Sequence, residues 1–313
     1  MARLRWVSAV LSDERLVRAN GIELAYQEAG EAEGEPLILI MGLAAQMLAW
    51  QEDFCAMLAD RGFRVVRFDN RDIGHSTILR EAGMPSRVDM FTGRRSTAPY
   101  LLADMARDTF GLMDRLGIEA AHVTGASMGG MIGQTMAIIQ PERVRSLVSM
   151  MSTTGNRRVG SPTFRAWGLL LSKFPHGREE YVKRAVRTFR VIGSPDHRDE
   201  REIEELAGAM YDRGHDAAAI IRQMHAISAS GDRTAELERL QVPTTVLHGA
   251  EDPLARPAAG RATAAAIPGA RLRIFEGMGH DLPRALWPDF VDEIAAAAER
   301  GGATLRAAPA EAA

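Results

Sequence analysis

The chain has 313 residues, 46% of them hydrophobic and 25% charged, with a formal net charge of -3. That is enough apolar material for one large core, or for one core with a subdomain. The slight acidity leaves no broad basic surface to neutralise phosphates, which argues against nucleic acid or an anionic membrane as a partner and for a small organic ligand.

Cys55 is the only cysteine, so no internal disulfide can form and a metal site built from several cysteines is excluded. Near the N-terminus, Arg3 and Arg5 precede an apolar stretch, but Asp13, Glu14 and Arg15 end it too early for a secretory signal. No segment reaches the ~18 apolar residues that a membrane span needs. A cytoplasmic protein is the expectation.

From Leu16 to Gln27 the residues alternate around Asn20-Gly21, which predicts a β-hairpin with a tight turn. The continuous apolar run from Pro36 to Met41, closed by Gly42, predicts a strand covered on both faces, as in a parallel sheet. A helix is predicted from about Met47 to Arg61, a strand at Val65 to Phe68, a helix around Leu101 to Leu116 and a strand at His122 to Thr124. Gly125 to Gln140 reads as a turn and then a helix, and strands follow at Val144 to Met151, Thr244 to Leu247 and Leu272 to Phe275. This alternation is that of βαβ units, and the predicted class is α/β with a mostly parallel, doubly wound sheet.

Between Ser152 and Leu240 the strand rhythm stops. Four stretches of helical spacing appear there, roughly 163–173, 178–192, 199–213 and 216–228, separated by Pro175, Gly193-Ser194-Pro195 and Gly214. The strand pattern resumes at Val242, so a helical lid over 152–240, inserted after the sixth strand of a core made of 1–151 and 241–300, is predicted. The tail 301–313, rich in alanine and proline, is expected to be disordered.

Gly125-Ala126-Ser127-Met128-Gly129 follows a strand and opens a helix. In that context Ser127 sits on a sharp strand-to-helix turn, a nucleophile elbow, where side chains in place of the glycines would collide with backbone. A serine hydroxyl needs a base, and the base needs an orienting carboxylate. In this architecture the acid follows a late strand and the histidine follows the last one. Asp252 and His280 occupy those places. Glu251 competes with Asp252, but a residue directly before Pro253 is held extended and projects into its loop. No carboxylate stands in Ser152-Thr153-Thr154-Gly155-Asn156, where some hydrolases keep their acid.

Acyl transfer also needs two aligned N–H donors for the oxyanion, one from the residue after the nucleophile and one from the loop after an early strand. Met128 and Leu43 match, both through backbone. Met41, Met47, Met128, Met150, Met151 and Met278 all map near the C-terminal ends of strands, where ligands bind in open α/β sheets. They suggest a pliable apolar pocket, with plain core filling as the alternative.

Met41-Gly42-Leu43, the segment from Phe68 to Ser76, Gly125 through Gly130, Glu251-Asp252-Pro253 and Gly277-Met278-Gly279-His280 together resemble the α/β-hydrolase superfamily. Within it the chain looks most like the aclacinomycin-methylesterase-like carboxylesterase branch. The resemblance implies a serine esterase acting on a small-molecule ester, here a methyl ester on a polyketide, through Ser127, His280 and Asp252. It also implies that no metal or organic cofactor is required. Many members have His-Gly where this chain has Met41-Gly42, which leaves a backbone donor intact. The segment from Asp69 to Ser76 reads as a hydrogen-bonded turn that supports the site. The same triad could instead serve carbon–carbon bond hydrolysis or cofactor-free perhydrolysis, and a catalytically silent binding protein on the same scaffold is the non-enzyme alternative.

Overall fold

The computed structural model describes residues 11–303, apart from 171, 173 and 174, together with residue 305. The apolar N-terminal stretch up to residue 10 and most of the expected tail lie outside the described residues. Gly301 and Ala303 close the last helix through backbone hydrogen bonds, and Ala303 and Leu305 rest against the core.

β1 (Arg15–Ala19) and β2 (Ile22–Ala29) form the expected hairpin, with Ala19 opposite Ile22. The two turn residues, Asn20 (φ 47°) and Gly21 (φ 83°), are both left-handed, as a two-residue turn that follows the strand twist requires. In β3 (Glu35–Ile40), Leu37 and Leu39 point into one core and Ile38 and Ile40 into the other. That division explains why consecutive positions are all apolar: both faces of the strand are covered.

The single helix expected from Met47 to Arg61 is divided into a 3-10 turn at Met47–Ala49 and α1 (Glu52–Asp60). Tertiary bonds claim backbone groups at the start of the turn and between the two pieces. The Met47 N–H donates to Asp69 Oδ1 at 2.8 Å, and the Trp50 carbonyl accepts from the buried Arg67 guanidinium.

Then come β4 (Phe63–Phe68), α2 (Arg87–Thr92), α3 (Leu102–Arg115), β5 (Ala121–Ala126), α4 (Met128–Ile139) and β6 (Val144–Met150). The short α2 had no counterpart in the sequence reading. It starts at Ser86, whose side chain accepts from the Asp89 N–H, and stops at left-handed Gly93. Between β6 and β7 (Thr244–Gly249) lie α5 (Phe164–Leu170), α6 (Arg178–Ile192), α7 (Glu200–Arg213), α8 (Ala217–Ser230) and α9 (Thr234–Leu237). The chain ends with α10 (Pro257–Ala266), β8 (Arg271–Phe275) and α11 (Trp287–Arg300). Among the described residues no helix is long and apolar enough to cross a membrane.

The eight strands form one sheet in the order β1-β2-β4-β3-β5-β6-β7-β8. β2 pairs antiparallel with β1 and β4, and every pairing from β4 to β8 is parallel. On one face Phe54 and Leu58 of α1 and Phe290 and Ile294 of α11 pack with Leu37 and Leu39. On the other, Phe110 of α3 and Ile132 of α4 pack with Ile38 and Ile40. The chain steps from β3 to β4 in one direction and then from β4 over to β5 on the other side of β3. Connections leaving in opposite directions open a crevice at the carboxyl ends of the strands.

The inserted helices are tied to the sheet by polar contacts. At their base the Arg233 N–H donates to the Thr154 carbonyl (2.8 Å), while the Arg233 guanidinium donates to the Thr153 carbonyl (2.9 Å) and Gln134. Arg222 of α8 makes a buried two-bond pair with Asp72, which also accepts from Tyr100 Oη. Arg213 of α7 reaches Asp69 at 2.6 Å and Gln46 at 2.8 Å. The Asp69 to Ser76 segment is indeed a hydrogen-bonded turn, with Ser76 Oγ on the Asp69 carbonyl and the His75 N–H on Asp69 Oδ2. It is also the ground on which α7 and α8 stand.

Candidate active site

Ser127, Asp252, His280 and Leu43 all come from connections at the carboxyl ends of parallel strands. Ser127 joins β5 to α4 with φ 55° and ψ -116°, a conformation that costs a side-chain-bearing residue on the order of 1–3 kcal/mol. Packing enforces it. A methyl group on Gly125 would press into the Gly129 carbonyl, and one on Gly129 into the Ile40 carbonyl, both far inside van der Waals contact. The Ser127 N–H donates to the Met150 carbonyl at 2.8 Å, and Ser152 Oγ donates back to the Ser127 carbonyl at 2.8 Å.

His280, five residues past the end of β8, faces Ser127 Oγ through Nε2 at 3.0 Å and Asp252 Oδ2 through Nδ1 at 2.6 Å. Asp252 is buried, and its other oxygen accepts the Leu254 and Ala255 N–H groups, each at 2.8 Å. Its rival Glu251 is exposed, and its N–H donates to the Met278 carbonyl at 2.9 Å. The three side chains named from the sequence are thus brought into one hydrogen-bonded row.

Burial works against a charged His280, but the Asp252 carboxylate, by charge and by hydrogen bond, and the neighbouring Asp281 outweigh it. The imidazole is therefore held above the ordinary histidine range. His248 sits behind the acid with its Nε2 3.6 Å from Asp252 Oδ2 and 2.6 Å from the Ala255 carbonyl. Burial holds His248 below the usual histidine range. A neutral ring with its proton on Nε2 donates to Ala255 and props the loop whose amide cradles Asp252.

The inserted helices reach the histidine loop directly. The His280 N–H donates to the Ile192 carbonyl at 2.6 Å, the Gly279 N–H donates to Ser194 Oγ at 2.9 Å, and Ser194 Oγ donates to Asp281 at 2.5 Å. The Gly193-Ser194 break read from the sequence as a helix boundary is this contact.

Gly42 passes so close to the elbow that a Cβ there would lie 3.0 Å from Ser127 Cβ and 3.7 Å from the Met128 nitrogen. The strand-end loop carrying Leu43 therefore faces the start of α4, as the pairing of Leu43 with Met128 requires. Of the methionines, Met47, Met128, Met150, Met151 and Met278 are all buried, and Met150, Met151 and Met278 share one core cluster with Met41. Among the described residues no group of three or more His, Cys, Asp or Glu is arranged to hold a metal ion.

Asn70, Ser194, Gln223 and Asp281 contact this machinery and went unremarked as site residues in the sequence. Asn70 at least lay inside a segment marked as supporting the site. Gln223 lies on an amphipathic helix with nothing in its neighbours to distinguish it.

Comparison with known proteins agrees with this architecture. The chain is 30% identical to rhodomycin D methylesterase DauP of Streptomyces sp. (strain C5), an alignment covering 87% of this chain and 93% of that one. It is 29% identical to rhodomycin D methylesterase DnrP of Streptomyces peucetius over the same shares. The crystal structure of an enol-lactonase from Burkholderia xenovorans LB400 superposes with a TM-score of 0.69, covering 90% of this chain and 98% of that one at 24% identity. Residues 35–193, from the first parallel strand to the end of α6, match the model of the α/β hydrolase fold. With that match, the relatives in sequence and the doubly wound sheet carrying a strained serine elbow, the chain belongs to the α/β-hydrolase family.

Proposed function

We propose that the protein is a serine carboxylesterase in which Ser127 is the nucleophile, His280 the general base and Asp252 the orienting acid. The observation that carries this reading is the row from Ser127 Oγ to His280 Nε2 (3.0 Å) and from His280 Nδ1 to Asp252 (2.6 Å), mounted on a left-handed elbow. His280 Nε2 takes the Ser127 proton as Oγ attacks the ester carbonyl carbon. The carbonyl electrons move to oxygen, where the N–H groups of Leu43 and Met128 stabilise the charge. The tetrahedral intermediate collapses, His280 returns the proton to the departing alcohol, and an acyl-enzyme remains. Water, deprotonated by His280, attacks the acyl carbon, and the acid leaves as Ser127 regains its proton. This mechanism calls for no metal or organic cofactor.

Two relatives named as methylesterases support a methyl ester of a larger carboxylic acid as the substrate class. In this reading residues 152–240 form a lid over the crevice, and Met47, Met150, Met151 and Met278 are candidates for its apolar lining. Hydrolysis of a p-nitrophenyl ester series from acetate to decanoate, by wild type and Ser127→Ala, tests the mechanism. A triad nucleophile is worth roughly 10⁴-fold or more in kcat. Loss of that size in the variant supports the reading, and equal activity in both proteins sinks it.

A further inference from the structure

The loop after β3 is gripped on both sides of Leu43 by side chains from elsewhere in the chain. Before it, Asn70 Nδ2 donates to the Met41 carbonyl at 2.9 Å. After it, the Ala44 N–H donates to Gln223 Oε1 at 3.1 Å, and Gln223 Nε2 donates in turn to the Arg71 carbonyl at 2.8 Å. Gln223 belongs to α8, lies 179 positions further along the chain and is fully buried. Both ends of its amide are used. Its helix is fixed one residue earlier by the buried pair of Arg222 with Asp72.

Ala44 adopts φ 62°, a left-handed conformation that alanine takes only when its surroundings demand it. The turn is closed by the Ala45 N–H on the Gly42 carbonyl (3.4 Å), and the bond that Ala44 donates to Gln223 holds it from outside and decides which amide is available. With the Ala44 N–H drawn to Gln223, it is not free to face an oxyanion. Among the described residues neither Leu43 nor Met128 donates its N–H to a protein acceptor. Were the Ala44 peptide to relax to an ordinary right-handed or extended geometry, the plane of the preceding peptides would turn and the Leu43 N–H would lose its aim.

We propose that Gln223 is a positioning residue for the oxyanion site, holding the Ala44 turn so that the Leu43 N–H stays directed at the developing negative charge. An inserted helix thereby becomes a condition for catalysis as well as a cover for the crevice. This inference rests on the serine esterase reading. Removing one oxyanion donor costs about 10²–10³ in kcat, so loosening its placement is expected to cost about 10- to 100-fold. KM for a small ester should change little, because the interaction is realised in the transition state.

The test compares full-length wild type, Ser127→Ala, Gln223→Leu, Gln223→Asn and Gln223→Glu on p-nitrophenyl butyrate, below the lowest unfolding midpoint of the set. Each is also titrated with a trifluoromethyl ketone, which accepts the serine oxygen at its carbonyl carbon and leaves an oxyanion in the same place. Leu has no acceptor and Asn is one methylene too short to reach. Glu offers an acceptor to Ala44 whether ionised or protonated. The expected result is a fall of about 10- to 100-fold in kcat for Leu and Asn, an equal weakening by the ketone, and recovery of both in Glu to within about threefold. Either Leu or Asn suffices if the other does not fold. A purely structural glutamine would lower the melting temperature and leave kcat and ketone affinity alone, which would overturn the proposal. So would a fall in kcat without a matching loss of ketone affinity. If wild type and Ser127→Ala are equally active, the esterase reading itself fails and the inference falls with it; if only the Gln223 variants match wild type, the inference alone fails.

Discussion

The Met128 side of the site and the Leu43 side are held by different means. At the elbow, Ser127 is forced into its left-handed turn by contacts of Gly125 with Gly129 and of Gly129 with Ile40, and the first N–H of α4 follows automatically. On the other side, Ala44 is equally left-handed, but its turn is held by the hydrogen bond it donates to a glutamine on a helix in the inserted region. The elbow is a steric device, dense and written mainly within five residues. The Leu43 loop is a polar device assembled from residues 70, 71 and 223. A steric device resists loosening because its alternatives clash. A polar one is only as firm as the elements carrying its partners, so it can respond to whatever moves α8.

Disturbing the support of α8 should separate the two sides most clearly. Arg222→Met leaves Asp72 buried without its partner, and breaking such a pair costs roughly 3–5 kcal/mol. Chemical denaturation should register that loss, and the folded fraction should show lower kcat than wild type. Gly129→Ala strikes the elbow itself: overpacking at that point is expected to cost about 3 kcal/mol and most of the activity. Stability by denaturation together with the esterase assay measures both. Full activity in a stable Gly129→Ala protein would end the steric account.

Asn70→Ala, on the Leu43 side, leaves the Met41 carbonyl unpaired and should cost about 1–3 kcal/mol. Its kcat should fall by about tenfold with little change at the elbow, a tenth of what one whole oxyanion donor is worth at the lower bound. An unchanged kcat would show that the loop is held well enough without its first grip.

The smallest effect expected is a displacement of the pH profile. In the proposed mechanism His280 must be neutral to act as base, so activity is expected to rise with pH as it deprotonates. Its ordinary range places that rise at roughly pH 6 to 7. Asp252 and Asp281 hold the proton on more firmly, so the rise should lie higher than the free imidazole range. Asp281→Asn removes one of the two charges and should move the rise back toward lower pH, leaving the plateau rate near that of wild type. A displacement in the opposite direction would contradict the electrostatic assignment.

Much of this molecule was legible in the chain. The hairpin followed from Asn20-Gly21, the buried sheet from continuous apolar runs such as Pro36 to Met41, and the insertion from the loss of strand rhythm after Met151. The extended residue before Pro253 separated Asp252 from Glu251, and the structure buries the first and exposes the second. The helix predicted from Met47 was divided where Arg67 takes the Trp50 carbonyl, a group that would have accepted a bond within a continuous helix, while Asp69 caps the Met47 N–H at its start. Neither competitor is near in sequence, and periodicity could not register them.

The sequence by itself determined the strand pattern, the elbow and the order in which Ser127, Asp252 and His280 appear. Those features depend on local backbone preferences and on side-chain types at fixed spacing. Only the tertiary structure decided that His248 props the acid loop, that Ser194 and Ile192 grip the histidine loop, and that Gln223 reaches Ala44. Each of these is a hydrogen bond between segments remote in the chain. Its strength depends on angles and distances of a few tenths of an ångström, which a list of residues does not contain.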